Sequence, residues 1–399
     1  MQFGRGPNRS FVRRAVGGLG RHGGLERCGM VRVIAHVGDF SVDNYGDQLY
    51  PEVVSGLLRD CGFDGHIEYF APLEGRTPGG QRIRPLRELA RVHPDAVLVG
   101  GGDLIRTDIG TIAKDHLNIP SGRRGSRLSR VRGRLFRMRS FPAGAGPWLP
   151  RLGWGDAPTA FVSVGVHELA PSEDVRAAVS HISSAWVRTA VGRDRLQEVG
   201  MDEQLTVAAP DAVFATAAFR DPDPLRARGR QLLRQRWGVD RAPIVVQAAE
   251  FHGWSPDRIS AVVRSLKPLP VVNLPLGRYA GEDQVLKAVA QQEQVPVLTN
   301  LKAAEITDVL AAAGAVFTTS MHAAIVGTCV GTPVVVPKIA KTADALAACP
   351  EPPVVHLAAD GDVAGIVADV YGERHQLPSR ANATACQSAF SRTMEHVGL

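Results

Sequence analysis

The chain has few of the features that mark secreted, zinc-binding or membrane-spanning proteins. Its five cysteines among 399 residues are odd in number, widely spaced and without a CxxC pair. This usage excludes a disulfide framework and a thiolate metal site, and it indicates a reducing, cytoplasmic compartment. No apolar run is long enough for a membrane helix. Residues of the kind and spacing that hold a metal are likewise lacking, so no metal site is predicted.

Common nucleotide-binding signatures are also missing. The glycine-containing segment 38–47 follows an apolar run, but it does not read GxGxxG and lacks the lysine of a phosphate loop. Gly38 and Gly46 permit close backbone approach. Asn44 and Asp47 have two open interpretations, because such side chains either cap the helix that follows or bind ligand hydroxyls.

Most of the net charge of +6 falls at the start of the chain. Residues 1–30 contain six arginines against a single acid, Glu26. The segment has no apolar core, so it is not a secretory signal. We expect a basic, disordered tail, and a start site assigned too early is one explanation for it.

A second basic run, residues 122–140, contains eight arginines and no acid. Leu128, Val131, Leu135 and Met138 recur in it at helical spacing, which allows an amphipathic helix on anionic lipid or an anionic acceptor. The alternative is a solvated insertion. Aromatic residues are 6% of the whole chain and scarce in this run, so nucleic-acid binding is not expected. The first interpretation would add peripheral contact with the inner membrane surface to a cytoplasmic location.

Short apolar runs alternate with helical stretches along the chain, a pattern typical of parallel α/β proteins. Predicted strands include 31–37, 96–99, 160–164 and 205–207 in the first half, and 243–247, 271–274, 295–298, 315–317 and 333–336 in the second. Predicted helices include 82–92 and 172–188. We therefore predict two Rossmann-like parallel-sheet domains that face a cleft. The predicted division is a tail (1–30), a first domain (31–220) with the basic insertion, a linker helix (221–240), a second domain (241–380) and a C-terminal helix (381–399).

The most informative segment places a histidine between a strand and a helix. The apolar strand 315–317 is followed by Thr318, Thr319 and Ser320, then by Met321 and His322 in the first turn of a small-residue helix. Ligands of open α/β sheets bind at such carboxyl strand ends, and helix N-termini attract anions. His322 is therefore either an active-site imidazole beside an anion cradle or a residue that only caps the helix.

Glycines end three strands of the first half. The triplet Gly100, Gly101 and Gly102 precedes Asp103, and Gly165 precedes His167. Because parallel strands end at one sheet edge, these positions should converge with Asn44 and Asp47 on the same cleft. Each of these side chains has an equally plain role as a cap, turn or packing residue.

In order and spacing, several motifs together resemble the polysaccharide pyruvyl transferase family over roughly residues 31–345. They are Asn44-x-Gly46-Asp47, Gly100-Gly101-Gly102, Pro210-Asp211-Ala212-Val213-Phe214, Leu274-Pro275-Leu276-Gly277-Arg278 with Glu282-Asp283, Glu305-Ile306, Ser320-Met321-His322-Ala323-Ala324-Ile325 and Gly331-Thr332-Pro333. The resemblance implies an architecture similar to two-domain glycosyltransferases of the GT-B type. It also implies transfer of the enolpyruvyl unit of phosphoenolpyruvate to sugar hydroxyls, commonly as a cyclic ketal, without a further cofactor.

Many members of that family carry an arginine where this chain has Ser320. The donor brings a phosphate and a carboxylate, so its site needs cations or helix N-termini. His322 is expected to act as general acid or as a phosphate-binding cation. Candidate donor-binding residues are Thr319, Ser320, Met321, Arg278, Glu305, Lys338 and Lys341, and candidate acceptor-binding residues are Asn44, Asp47, Gly101, Gly102, Asp103 and His167.

Two other functions are compatible with the same residues. A GT-B glycosyltransferase with a nucleotide-sugar donor shares the architecture, and fold does not determine function. A non-catalytic binding protein would account for the replacement of the arginine by Ser320. The acceptor is a lipid-linked unit, a polymer or a smaller glycoconjugate.

Overall fold

The structure, a computed structural model, describes most of the chain from Arg32 onward. The described residues are 32–106, 148–149, 154, 156–167, 169–278, 281–338, 340–359, 362–373 and 380–399. The predicted basic tail and the basic insertion 122–140 lie outside them.

Eight strands form the first sheet, in the order β3-β4-β2-β1-β5-β6-β7-β8. They are β1 (Val33–Val37), β2 (His66–Ala71), β3 (Gly75–Arg76), β4 (Arg82–Pro85), β5 (Ala96–Gly100), β6 (Thr159–Val164), β7 (Ile182–Val187) and β8 (Thr206–Ala208). Every pairing is parallel except β3 with β4. The central strands β5 and β6 are buried along their whole length, as expected for a sheet covered on both faces.

Helices cover this sheet and lead to the second one. They are α1 (Tyr45–Asp60), α2 (Glu173–Val179), α3 (Ala190–Glu198), α4 (Thr216–Phe219) and α5 (Pro222–Trp237). The α5 helix begins with Asp221 as a side-chain cap and Pro222 in its first turn, and it ends at Gly238 in the left-handed conformation. These start and stop signals are the ones the sequence displays.

The second sheet has five parallel strands in the order β10-β9-β11-β12-β13. Its strands are β9 (Ile244–Gln247), β10 (Val271–Asn273), β11 (Ala315–Thr318), β12 (Val334–Pro337) and β13 (Val355–Ala358). The helices of this half and of the chain end are α6 (Pro256–Ser265), α7 (Glu282–Glu293), α8 (Ala303–Ala312), α9 (Met321–Cys329), α10 (Ala340–Ala347), α11 (Val363–Val370) and α12 (Ala381–His396).

The predicted architecture is confirmed: two Rossmann-like parallel sheets face a cleft. One apolar cluster joins the two halves, since it includes Leu49 of α1 and Ile306 of α8. The Tyr45 and Thr307 hydroxyls lie 2.9 Å apart across the same contact. The last helix, α12, returns to the first half, where it packs on β7 and the 3₁₀ turn Ala212–Ala215.

Three predicted elements are wrong in part. The helix predicted over 172–188 is the short α2 followed by the buried strand β7. The helix predicted over 82–92 is β4 followed by a 3₁₀ helix, Leu86–Arg91. The strand predicted over 295–298 is reduced to one bridge between Asn273 and Val297. In each case neighbouring strands decide the outcome, because local sequence gives only a weak preference.

No helix among the described residues is long and apolar enough to cross a membrane.

Candidate active site

The carboxyl ends of the two sheets line one cavity of about 220 Å³. The first half contributes the turn after β1, the glycine turn after β5 and the end of β6. The second half contributes the end of β9, the start of α7 and the β11–α9 turn. Residues of both halves therefore surround one small, polar space.

His322 lies in this cavity at the second position of α9. Ser320 is the N-cap, and its hydroxyl accepts a hydrogen bond of 3.4 Å from the Ala323 N–H. All residues of the helix are buried, and the His322 residue is only 9% exposed. No described residue accepts a hydrogen bond from the backbone N–H of Met321 or His322. The site thus has two free amide donors at a helix N-terminus beside an imidazole.

Three residues of the first half fix the imidazole of His322. Its Nε2 lies 3.6 Å from Oδ2 of Asp211 and 3.4 Å from the Tyr50 hydroxyl. The Tyr50 and His322 rings meet edge to face, with centroids 5.8 Å apart. Gly46 of α1 lies against the other side of the ring, where a Cβ at that position would come within 2.1 Å of Nδ1. The glycine of the Asn44-x-Gly46-Asp47 motif is therefore required for the histidine to fit.

Asp211 is the centre of a buried ionic network. It is fully buried and accepts hydrogen bonds from Tyr50 (2.8 Å), Arg188 (2.9 Å) and the Val213 N–H (2.9 Å). Arg188, 3% exposed, also pairs with Asp103. The network thus joins the imidazole to the glycine turn after β5.

Burial and charge set the protonation of this network. Burial alone would raise the pKa of Asp211, but hydrogen bonding and charge from His322, together with the Arg188 guanidinium, outweigh it and hold the pKa below its usual range. Burial, with the nearby Asp211 charge, raises the pKa of Tyr50 well above its ordinary value. Asp211 is therefore an anion beneath the imidazole, and Tyr50 is a neutral hydrogen-bond donor.

Gln247, at the end of β9, holds the β11–α9 turn in place. Its side-chain oxygen accepts hydrogen bonds from the backbone N–H groups of Thr319 (3.0 Å) and Ser320 (3.1 Å), and from the Thr318 hydroxyl. The Thr319 hydroxyl in turn accepts from the Ala249 N–H at 3.1 Å. The turn that delivers His322 is thus fixed by side chains and not only by strand pairing.

Glu282, at the start of α7, is a buried carboxyl group that also lines the cavity. It is 8% exposed, and its Oε1 accepts from the Leu276 N–H at 2.8 Å. Burial raises the pKa of Glu282 to about 7, against the opposing effect of its hydrogen bonds from Leu276 and Gln247.

The structure brings most of the predicted site residues together. The predicted residues that line the cavity are Thr319, Ser320, Met321, His322, Asn44, Asp47, Gly102, Asp103 and His167. Gly101 is not among the lining residues, although Tyr50 packs against its Cα. The Nε2 atom of His167 lies 3.6 Å from Oδ2 of Asp103.

Of the cations predicted to bind phosphoenolpyruvate, those whose side chains the structure describes do not line the cavity. Arg278 is 70% exposed and pairs with Asp43 at 2.7 Å, and Lys338 is exposed; neither lines the cavity. Glu305 caps α8 through the Lys302 N–H at 2.7 Å and pairs with Arg236. The Lys341 side chain lies outside the described residues. The basic side chains that do line the cavity include Arg106 and Arg188, both from the first half.

Sequence reasoning missed the groups that surround the histidine. Asp211, Arg188, Gln247 and Glu282 were not predicted as site residues. Signals existed for two of them, because Asp211 and Glu282 stand in motifs that were recognised for their spacing. Arg188 carried none, since the strand that it follows was predicted as a helix.

Comparison with known proteins places the chain in a family. The sequence profile of polysaccharide pyruvyl transferases matches residues 44–336, which is most of the chain. The chain belongs to the polysaccharide pyruvyl transferase family. It is therefore a member of a transferase family, and the matched region contains the Asn44 turn, Asp211, Glu282 and His322. No curated protein sequence matches the chain.

The chain is similar in fold to two solved UDP-GlcNAc 2-epimerases. The crystal structure of UDP-GlcNAc 2-epimerase from Neisseria meningitidis, bound to UDP-GlcNAc, aligns with a TM-score of 0.54 at 11% identity and covers 92% of this chain and 100% of that one. UDP-GlcNAc 2-epimerase from Methanocaldococcus jannaschii aligns at 0.52 and 12% identity, with 92% and 100% covered. At such identities the likeness concerns the GT-B fold alone.

Among the described residues, no group of three or more His, Cys, Asp or Glu side chains is arranged to hold a metal ion.

Proposed function

We propose that the protein transfers the enolpyruvyl group of phosphoenolpyruvate to hydroxyls of a sugar or glycoconjugate acceptor. The observation that carries the proposal is the position of His322, at a helix N-terminus with two free amide donors, inside a cavity lined by both halves. Membership of the pyruvyl transferase family supports the same reaction class.

The donor fits the second-half wall of the cavity. Its phosphate and carboxylate would accept hydrogen bonds from the Met321 and His322 N–H groups, where the helix dipole favours negative charge. The hydroxyls of Thr319 and Ser320 lie beside them. Arg106, which also lines the cavity, would supply counter-charge in place of Arg278 and the two lysines.

The acceptor would occupy the first-half wall. Asn44, Asp47, Asp103 and His167 line this wall and offer hydrogen-bonding groups of the kind that bind sugar hydroxyls. In the reaction, a proton adds to the methylene carbon of the donor and an acceptor oxygen bonds to the neighbouring carbon. Phosphate then leaves, and a second hydroxyl closes the ketal.

Incubation of the purified protein with phosphoenolpyruvate and candidate acceptors tests the proposal. We expect phosphate release and an acceptor mass gain of one pyruvyl group, both lost in His322→Ala. Release of nucleoside diphosphate from a nucleotide sugar would instead identify a glycosyltransferase. Binding of the ligands without turnover, in the wild type and in His322→Ala alike, would identify a binding protein.

A further inference from the structure

Glu282 is a buried acid that the reaction outlined above leaves without a role. It lies in the first turn of α7 and lines the same cavity as His322. A carboxylate in the first turn is favoured by the helix dipole, but such residues are usually solvated, whereas Glu282 is 8% exposed. Burial of a carboxyl group next to an anion-binding site needs a further explanation.

Hydrogen bonds fix the carboxyl group of Glu282. Its Oε1 accepts from the Leu276 N–H at 2.8 Å, and Gln247 forms a second hydrogen bond to it. The side-chain oxygen of Gln247 is already used by the β11–α9 turn. The Gln247 amide NH₂ is therefore the donor to Glu282, and one glutamine aligns the acid with the turn that carries His322.

The surroundings of Glu282 keep a substantial fraction of it protonated near neutral pH. Burial is the main cause of its raised pKa of about 7, and the Asp283 carboxylate adds to it. The carboxylates of Asp39, Asp47 and Asp103 line the same cavity, as do the basic Arg106, Arg188 and His252. A dianionic donor close by would favour the neutral acid further.

We propose that Glu282 protonates the methylene carbon of phosphoenolpyruvate and that His322 accepts the proton of the attacking hydroxyl. The inference rests on the function proposed above and divides its acid and base between two residues. The carbon–carbon π pair takes the Glu282 proton while the acceptor oxygen bonds to the adjacent carbon. The hydroxyl proton passes to His322, which returns it to the phosphate as that group departs with the electrons of its carbon–oxygen bond. A second acceptor hydroxyl then bonds to the same carbon and closes the ketal, and its proton restores Glu282 to the acid form.

Asp211 makes His322 suited to the second role. The Asp211 carboxylate lies 3.6 Å from Nε2, so it stabilises the imidazolium that forms when His322 takes a proton. Acid and base with separate environments, one shielded from solvent and one paired with an anion, are the usual arrangement for two proton transfers at one pH.

The test compares Glu282→Gln with Asp257→Asn, a removal of a carboxylate at the matching place in another helix. Asp257 lies in the first turn of α6, is exposed and does not line the cavity. We expect Glu282→Gln to lower kcat/KM about 10²–10⁴-fold, the usual contribution of a general acid. Calorimetric binding of phosphoenolpyruvate should be retained, and Asp257→Asn should stay close to wild type.

The pH profile separates an acid from a merely structural residue. Wild-type kcat/KM should fall as pH rises through about 7, because Glu282 must be protonated. Glu282→Gln should lose this limb, and Glu282→Asp should keep it at a shifted pKa with partial activity. Should Glu282→Gln be too unstable to purify, the Glu282→Asp profile decides the question.

The outcomes also separate this inference from the proposed function. An active wild type whose Glu282 variants keep the wild-type pH limb would overturn the role of Glu282 alone. A wild type that releases no phosphate from phosphoenolpyruvate with any acceptor would overturn both.

Discussion

At the scale of single residues, the site depends on the fully buried carboxylate of Asp211. Asp211 receives three hydrogen bonds, one of them from Arg188, which is itself buried. Taking ions out of water is costly, and removal of one partner leaves the other uncompensated. Asp211 therefore links the stability of the fold to the position of His322.

We predict that Asp211→Asn lowers the free energy of unfolding by about 3–5 kcal/mol at pH 7. The pKa of Asp211 is depressed in the folded state. Its stabilisation is therefore present above its unfolded pKa and is lost as pH falls through the folded one. Urea unfolding at pH 7 and in acid should show a deficit that shrinks towards low pH.

The control for that experiment is Asp43→Asn, which breaks the exposed pair with Arg278. Exposed pairs contribute about 0–1 kcal/mol. An equal loss in the two variants would contradict the central role of the buried carboxylate.

Glu282 should show the opposite dependence of stability on pH. The folded state raises its pKa from 4.5 to about 7, so the wild type loses stability as pH rises between these values. Glu282→Gln does not titrate. The variant should therefore gain on the order of 3 kcal/mol relative to wild type between pH 5 and pH 8. Thermal unfolding across that interval measures the gain, and a difference that is constant with pH would argue against the raised pKa.

At the scale of elements, the site is the meeting of two helix N-termini. The start of α1 and the start of α9 approach so closely that Gly46 touches the ring of His322. Beside this contact, Asn44 and Gly277 form an isolated antiparallel β-bridge between the two halves. The Tyr45 N–H donates to the Leu276 carbonyl at 2.8 Å. The contacts that join the two halves therefore also position the imidazole of His322.

We predict that Gly46→Ala reduces kcat by about 10²-fold, the cost of a displacement of about 1 Å at a reacting group. The added Cβ would lie 2.1 Å from Nδ1, so the imidazole must leave its present position beside Asp211 and Tyr50. Steady-state kinetics measure the loss. Gly56→Ala in the same helix is the control, because its Cβ meets only the edge of the Phe219 ring at 3.0 Å. Similar activity in both variants would count against the steric argument.

Element-level prediction from sequence succeeded where local signals and tertiary context agree. The strand–turn–helix around His322 was predicted because Ser320 caps a run of small apolar residues after a β-branched strand. The strand β7 was predicted as part of a helix, since its alternation is hidden by burial on both faces. Arg188, which directly follows this strand, was therefore not predicted as a site residue. The network around Asp211 joins positions far apart in the chain, and no local pattern encodes such contacts.

At the scale of the whole molecule, the chain crosses between its halves twice. The helix α5 leads from the first half to the second, and α12 returns to pack on β7 and the turn after Asp211. The Cys386 thiol of α12 lies 3.3 Å from the Asp211 carbonyl. The last helix therefore supports the backbone that holds the buried carboxylate.

We predict that Phe390→Ala, at a fully buried position of α12, lowers the free energy of unfolding by about 3–5 kcal/mol. Chemical unfolding measures the loss. The exposed Ser388 of the same helix provides the control, and Ser388→Ala should leave stability nearly unchanged. A small effect of Phe390→Ala would mean that α12 is dispensable to the first half.

The return of α12 has a consequence for how the protein is made. On a ribosome the first sheet emerges well before α12, the helix that packs on β7 and on the turn after Asp211. At about 5–20 residues per second, the interval between β8 and α12 is on the order of ten seconds or more. During that time the contacts between α12 and the first half cannot form. The backbone around Asp211 therefore acquires its support only after α12 has been synthesised.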